Sequence, residues 1–159
     1  MTRKLTARHI EFALAKHFNW RQNLIVPNVH WGFGLNHEAD LLVLTPSLSL
    51  WEVEIKVTPG DLRADVKKRH GHRSEFIRRL YFAFPASMAK YSDLVPRDAG
   101  IILVREDCLL ASVARPAKQN MAALPLTPKQ VQKLHSLAAM RIWDLKLKLI
   151  RAQEKAMPI

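Results

Sequence analysis

The sequence predicts a mixed α/β (α+β) fold, one β-sheet with helices packed on it, closed by a long C-terminal helix. Three observations lead there. Segments of helical and strand periodicity follow one another as helix, three strands, helix, strand, then further strand and a last helix. The second and third strand segments are joined only by Pro46-Ser47-Leu48-Ser49, short enough for an antiparallel hairpin. A helical crossover separates the third from the fourth, which turns a meander into a mixed sheet.

The first helix spans Leu5 to Phe18. Ile10, Ala13, Leu14 and Phe18 form its apolar stripe, Glu11 stands at the border of that stripe, and Thr6 is the N-cap residue, with Thr2 as a competitor. The segment from Asn23, NLIVPNVHWGF, is β-rich with a proline interruption, and Gly32, Gly34 and Asn36 supply turn chemistry. EADLLVLT (Glu38 to Thr45) and LWEVEIKV (Leu50 to Val57) are the next two strands. Thr58-Pro59-Gly60-Asp61 opens a helix, with Thr58 as cap, Pro59 in the first helical position and Asp61 in the first turn. It runs through LRADVKKRH and stops near Gly71. RRLYFAFPA, from Arg78, is nearly all apolar and reads as a strand buried on both faces. SMAKYSDLVPRDA is a short helical turn and loop, GIILVRE a fifth strand and CLLASVA a sixth. Thr127 and Pro128 then start the last helix, where Val131, Leu134, Ala138, Ile142, Leu145 and Leu149 make one apolar stripe.

A chain of 159 residues fits one core unit, read here as residues 1–125, with residues 126–159 packed on it or used for association, including homodimer formation. No apolar run is long enough to span a bilayer, and the first residues lack the apolar core and cleavage site of a signal peptide. Cys108 is the single cysteine, which excludes an internal disulfide and a cysteine-based zinc cluster. A cytoplasmic protein with no membrane association is the expectation. Lys plus Arg is 25 and Asp plus Glu is 14, a formal charge of +11. That excess favours a polyanionic partner, DNA above all.

The chemistry concentrates in WEVEIKV. Alternation puts Glu52, Glu54 and Lys56 on one face of a strand and Trp51, Val53, Ile55 and Val57 on the other. The face is either a wet outer surface or a site. Asp40, embedded in the preceding apolar strand, favours the site, because hairpin pairing sets it beside Glu54. Two close carboxylates repel unless a cation or proton lies between them, and Mg²⁺ or Mn²⁺ suits such oxygen ligands. Lys56 beside them would hold a water or offset charge on a phosphorane, so the three residues make a phosphodiesterase site.

Asp40 followed by Glu54-Ile55-Lys56 resembles the signature of the PD-(D/E)XK nuclease superfamily, although Ala39 stands where the superfamily name has proline. The element order αβββαβ is similar to its restriction-endonuclease-like core. The segments HEADLLVLT, EVEIKVTPGDLRADVKK, LYFAFP and VPRDAGIILV resemble its MmcB-like branch, associated with DNA repair and mobile elements. The resemblance implies metal-dependent cleavage of DNA phosphodiesters. It implies Asp40 and Glu54 as metal ligands, with the Ile55 carbonyl adding a ligand, and Lys56 as the catalytic lysine. Glu11 corresponds to the acid that many members carry on the first helix, and Glu52 is an auxiliary acid.

On the helix after the motif, Arg63, Lys67, Lys68 and Arg69 are candidate phosphate contacts; a solvated helix end is the alternative. His70 and His72 flank Gly71 and read as loop residues rather than a metal pair. His37 is not assigned a role. Two other functions compete with the nuclease: a non-catalytic DNA-binding subunit on the same fold, and a protein-interaction module using the last helix.

Overall fold

The computed structural model describes residues 4–30, 32–66 and 74–156. The first helix, α1 (Ala7–His17), is followed by β1 (Leu24–Val29), β2 (Ala39–Leu44), β3 (Leu50–Ile55) and α2 (Pro59–Val66). Next come β4 (Ile77–Pro85), a 3₁₀ segment (Ala86–Leu94), β5 (Gly100–Val104), β6 (Ala111–Arg115) and α3 (Pro128–Ala156). The strands form one sheet in the order β1-β2-β3-β4-β5-β6. β3 pairs parallel with β4, and β4 with β5, while the other neighbours are antiparallel. This mixed α/β topology is consistent with a restriction-endonuclease-like core.

Local chemistry places the breaks. The Thr6 N–H donates to Nδ1 of His9 at 3.0 Å, closing the start of α1. The Asp61 N–H donates to Oγ1 of Thr58 at 3.1 Å and the Thr58 N–H to Oδ2 of Asp61 at 3.0 Å, a reciprocal cap on α2. Thr127 and Gln130 do the same for α3. Pro27 lies within β1, which its position at the sheet edge allows, since a missing N–H there breaks no inner ladder.

Each face of the sheet has its own core. Ile10 and Leu14 of α1 pack on Leu41, Val43, Val53, Tyr81, Ala83 and Ile102. On the other face two clusters lie side by side. One holds Val26, Leu42, Leu44 and Leu50 under Leu134 of α3. The second holds Phe82, Phe84 and Ile101 under Leu62 of α2 and Met88 of the 3₁₀ segment. β3 runs between these two clusters, so the polar residues on that face of β3 are walled in from both sides.

Only the first half of the α3 stripe is covered. Val131, Leu134 and Ala138 pack on the sheet, and Nη2 of Arg141 donates to the Asn28 carbonyl at 2.7 Å. Beyond it Ile142, Leu145 and Leu149 are more than half exposed. No helix among the described residues is long and apolar enough to cross a membrane.

Candidate functional site

Alternation on β3 holds: Glu52 pairs with Leu42 and Leu80, and Glu54 with Phe82, so both acids face the side covered by α2 and α3. That face is not wet. Glu52 is 0% exposed, Glu54 2% and Lys56 6%. The reason is the walling of β3 by the two clusters, which a strand pattern read alone does not contain.

Buried charges need partners. Nζ of Lys56 lies 2.7 Å from Oε2 of Glu54 and 2.9 Å from Oδ1 of Asp65. The backbone places it: the Lys56 N–H donates to the Ala83 carbonyl at 2.9 Å, which keeps the residue in register with β4 past the end of β3. Burial pulls the Lys56 pKa down, but the Glu54 and Asp65 carboxylates outweigh it and the net shift is upward. Lys56 is therefore an ammonium, a donor and a counter-charge rather than a base.

Asp65 comes from α2, one turn after fully buried Leu62, and is itself buried. His37 comes from the loop before β2. Its Nε2 is hydrogen-bonded to Oε1 of Glu52 and lies 3.9 Å from Oε1 of Glu54. Nδ1 of the same ring is 3.0 Å from Oδ1 of Asn36. One ligand atom from each of His37, Glu52 and Glu54 lies within 4.8 Å of the other two, a nitrogen-and-oxygen donor set that could hold a divalent cation.

The register that pairs Leu41 with Val53, continued one step, does set Asp40 opposite Glu54. Yet Oδ2 of Asp40 accepts the Ile55 N–H at 2.7 Å, acting as a terminal rung of the β2–β3 ladder. Glu11 senses it from α1: burial raises the Glu11 pKa, Arg8 lowers it and the Asp40 charge raises it further. Asp40 thus stands between its register neighbour Glu54 and the Glu11 carboxyl, at the margin of the buried group of Glu52, Glu54, His37, Lys56 and Asp65.

His37 and Asp65 are the residues missed from sequence. His37 precedes β2, which begins only at Ala39, so strand alternation does not say which way it points. Asp65 had a readable signal, its spacing of three from Leu62 on a helix. Arg63 is exposed on α2, with its guanidinium 5.3 Å from the Tyr91 ring centre. Lys67, Lys68, Arg69, His70 and His72 lie outside the described residues.

Comparison with known proteins adds the family. No curated protein matches the chain. A solved structure does: the SPO1766 protein of unknown function from Silicibacter pomeroyi, with a TM-score of 0.67 and 21% identity over 89% of this chain and 92% of that one. At that identity the likeness is one of fold. Residues 6–149 match the family described as DNA repair protein MmcB-like, a span that takes in α1, the whole sheet, the buried Glu54–Lys56–Asp65 group and most of α3. The chain belongs to the MmcB-like family of DNA repair proteins.

Proposed function

We propose that the protein is a metal-dependent DNA nuclease of the PD-(D/E)XK type acting in DNA repair. The observation that carries this is the buried group on β3: Glu54 and Lys56 two residues apart, in contact, with Glu52 and His37 within reach of the same cation. Burying that many ionisable groups on the central strands costs desolvation energy, and groups so perturbed cluster at functional sites. A divalent cation held by His37, Glu52 and Glu54 would supply Lewis-acid polarisation of a phosphoryl oxygen and a bound water of lowered pKa. The imidazole nitrogen favours Mn²⁺ over Mg²⁺, which prefers an all-oxygen shell.

The chain's own residues divide the remaining work. Lys56 has three N–H donors, and Glu54 and Asp65 engage it on two sides, so a third is directed to a phosphoryl oxygen or attacking water. Asp65 orients that ammonium. Asp40 fixes the Ile55 backbone and hence the path of β3 between Glu54 and Lys56. The side chain of His37, 18% exposed against 3% for Glu54, marks the side from which a phosphodiester reaches the group. The basic excess of the chain, +11, supports DNA as the polyanion. The exposed far half of α3 is the proposed surface for association, a homodimer in the simplest case.

A second reading is favoured by one observation. Lys56 is neutralised by two carboxylates, as in a structural ion network, which suits a non-catalytic DNA-binding subunit on the same fold. One experiment separates the two. Supercoiled, linear, branched and single-stranded DNA are incubated with the protein in Mn²⁺, in Mg²⁺ and in chelator. Metal-dependent cleavage that Glu54→Gln abolishes supports the nuclease; binding without cleavage under all conditions supports the subunit.

A further inference from the structure

At the end of β3 remote from Lys56, a cleft of about 450 Å³ opens between the β2–β3 turn, the start of β4 and the segment after β6. Its polar lining is Thr45, Ser47, Ser49, Gln119, Arg78 and Arg79, and no carboxylate of the described residues lines it. Consecutive strand residues normally face opposite ways. Here the pairing slips: Leu50 pairs with Ile77 and Trp51 with Arg79, so Arg78 is an extra residue in β4. A bulge of this kind re-aims a side chain. It lets both arginines reach the same cleft.

Each guanidinium is also held in place. Nη2 of Arg78 donates to the Ala123 carbonyl at 3.2 Å, and Nη1 of Arg79 to the Ala117 carbonyl at 3.1 Å. Arg79 further lies 5.5 Å over the Trp51 ring, whose Nε1–H donates to Oγ of Ser49 at 2.9 Å. Both arginines are half-buried, and among the described residues neither has a carboxylate within ion-pair distance. A neutral carbonyl uses one donor of each and leaves the charge and the other N–H groups unspent. Two oriented guanidiniums of this sort match the oxygens of a phosphate.

We propose that the Arg78–Arg79 cleft binds a phosphate of the DNA backbone, as an anchor separate from the Glu54–Lys56 group. Trp51 of β3 and Lys56 just past its end are five residues apart, about 16 Å at 3.3 Å per residue, and their side chains point to opposite faces of the sheet, so the cleft is a place of its own rather than part of the Glu54–Lys56 group. The DNA part rests on the proposed function; the arginine site does not. All binding is therefore measured in chelator, where cleavage plays no part.

The test uses the full chain and a fluorescent oligonucleotide, single-stranded and duplex. Arg78→Gln and Arg79→Gln are compared with Arg97→Gln, an exposed arginine outside the cleft that loses the same charge. The two cleft variants are expected to bind about tenfold more weakly than the parent, with a salt slope flatter by about one phosphate contact. Arg97→Gln should lose less on both measures. Thermal midpoints identify a variant that fails to fold, and in that event the parent decides. Inorganic phosphate should then change its tryptophan fluorescence, and Trp51→Phe should remove the change. Cleft variants that match Arg97→Gln, or a parent that responds neither to phosphate nor to DNA at this site, overturn the proposal. Phosphate binding without any effect of the arginines on DNA overturns the DNA anchor and assigns the cleft to free phosphate. Loss of cleavage alone, with arginine-dependent binding intact, removes the nuclease reading and leaves this one standing.

Discussion

Nζ of Lys56, just past the end of β3, lies 2.9 Å from Oδ1 of Asp65 on α2, within the crossover that joins the two parallel strands. The contact ties the helix to the sheet at the point where the sheet carries its densest charge. It also makes Lys56 a structural residue as well as a proposed catalytic one.

Lys56→Ala should therefore destabilise the fold by roughly 3–5 kcal/mol, because Glu54 and Asp65 would stay buried without their cation. Urea unfolding measures it. A loss under about 1 kcal/mol would mean that water reaches the group freely. Activity assays on Lys56 variants need this control, since lost cleavage and lost fold look alike.

For the metal, Mn²⁺ should raise the thermal midpoint, by the equivalent of about 2.7 kcal/mol at a hundred times its dissociation constant. His37→Ala and Glu52→Gln should each abolish the rise, and Asp40→Asn should leave most of it. The opposite ranking would place the ion between Asp40 and Glu54 instead.

Cleavage, where it occurs, should fall to background in Glu54→Gln. Glu52→Gln should reduce it too, because Glu52 shares the cation-binding donor set with Glu54 and His37. Circular dichroism keeps misfolding out of the comparison. Full activity in Glu52→Gln would remove Glu52 and weaken the three-residue metal site.

Glu11 gives a pH test. Burial first, then the Asp40 charge, hold its carboxyl above the ordinary value near 4.5, while Arg8 works the other way. The folded state then binds the proton more tightly than the unfolded one. The contribution of Glu11 to stability is greatest below pH 4.5 and is lost as pH rises through its folded pKa. Glu11→Gln should be more stable than the parent at neutral pH in chelator, with the advantage vanishing below pH 4.5. Parallel stability curves across that range would show that Glu11 is solvated.

On α3, Leu134→Ala should cost about 2–5 kcal/mol, since Leu134 is the buried anchor of the helix on the sheet. Leu145→Glu and Leu149→Glu should leave the midpoint nearly unchanged and remove concentration-dependent association in sedimentation. Association that survives both changes excludes the far half of the helix as the contact.

Several features were legible in the residues alone, because they depend on near neighbours in the chain. Thr6, Thr58 and Thr127 announce three helix starts through capping chemistry. Strand alternation puts Glu52, Glu54 and Lys56 on one face. The short PSLS turn dictates an antiparallel hairpin and so the Asp40–Glu54 register. Composition supplies the charge. What the tertiary structure alone decided is which of these groups are dry and which touch. Glu52 is buried because α3 and α2 cover the sheet on either side of β3, and no local pattern encodes that coverage. His37 meets Glu52, and Asp65 meets Lys56, only because the chain folds the loop before β2 and the helix after β3 back over that strand. Alternation says which way a side chain points; only the packing of distant elements says what it meets there.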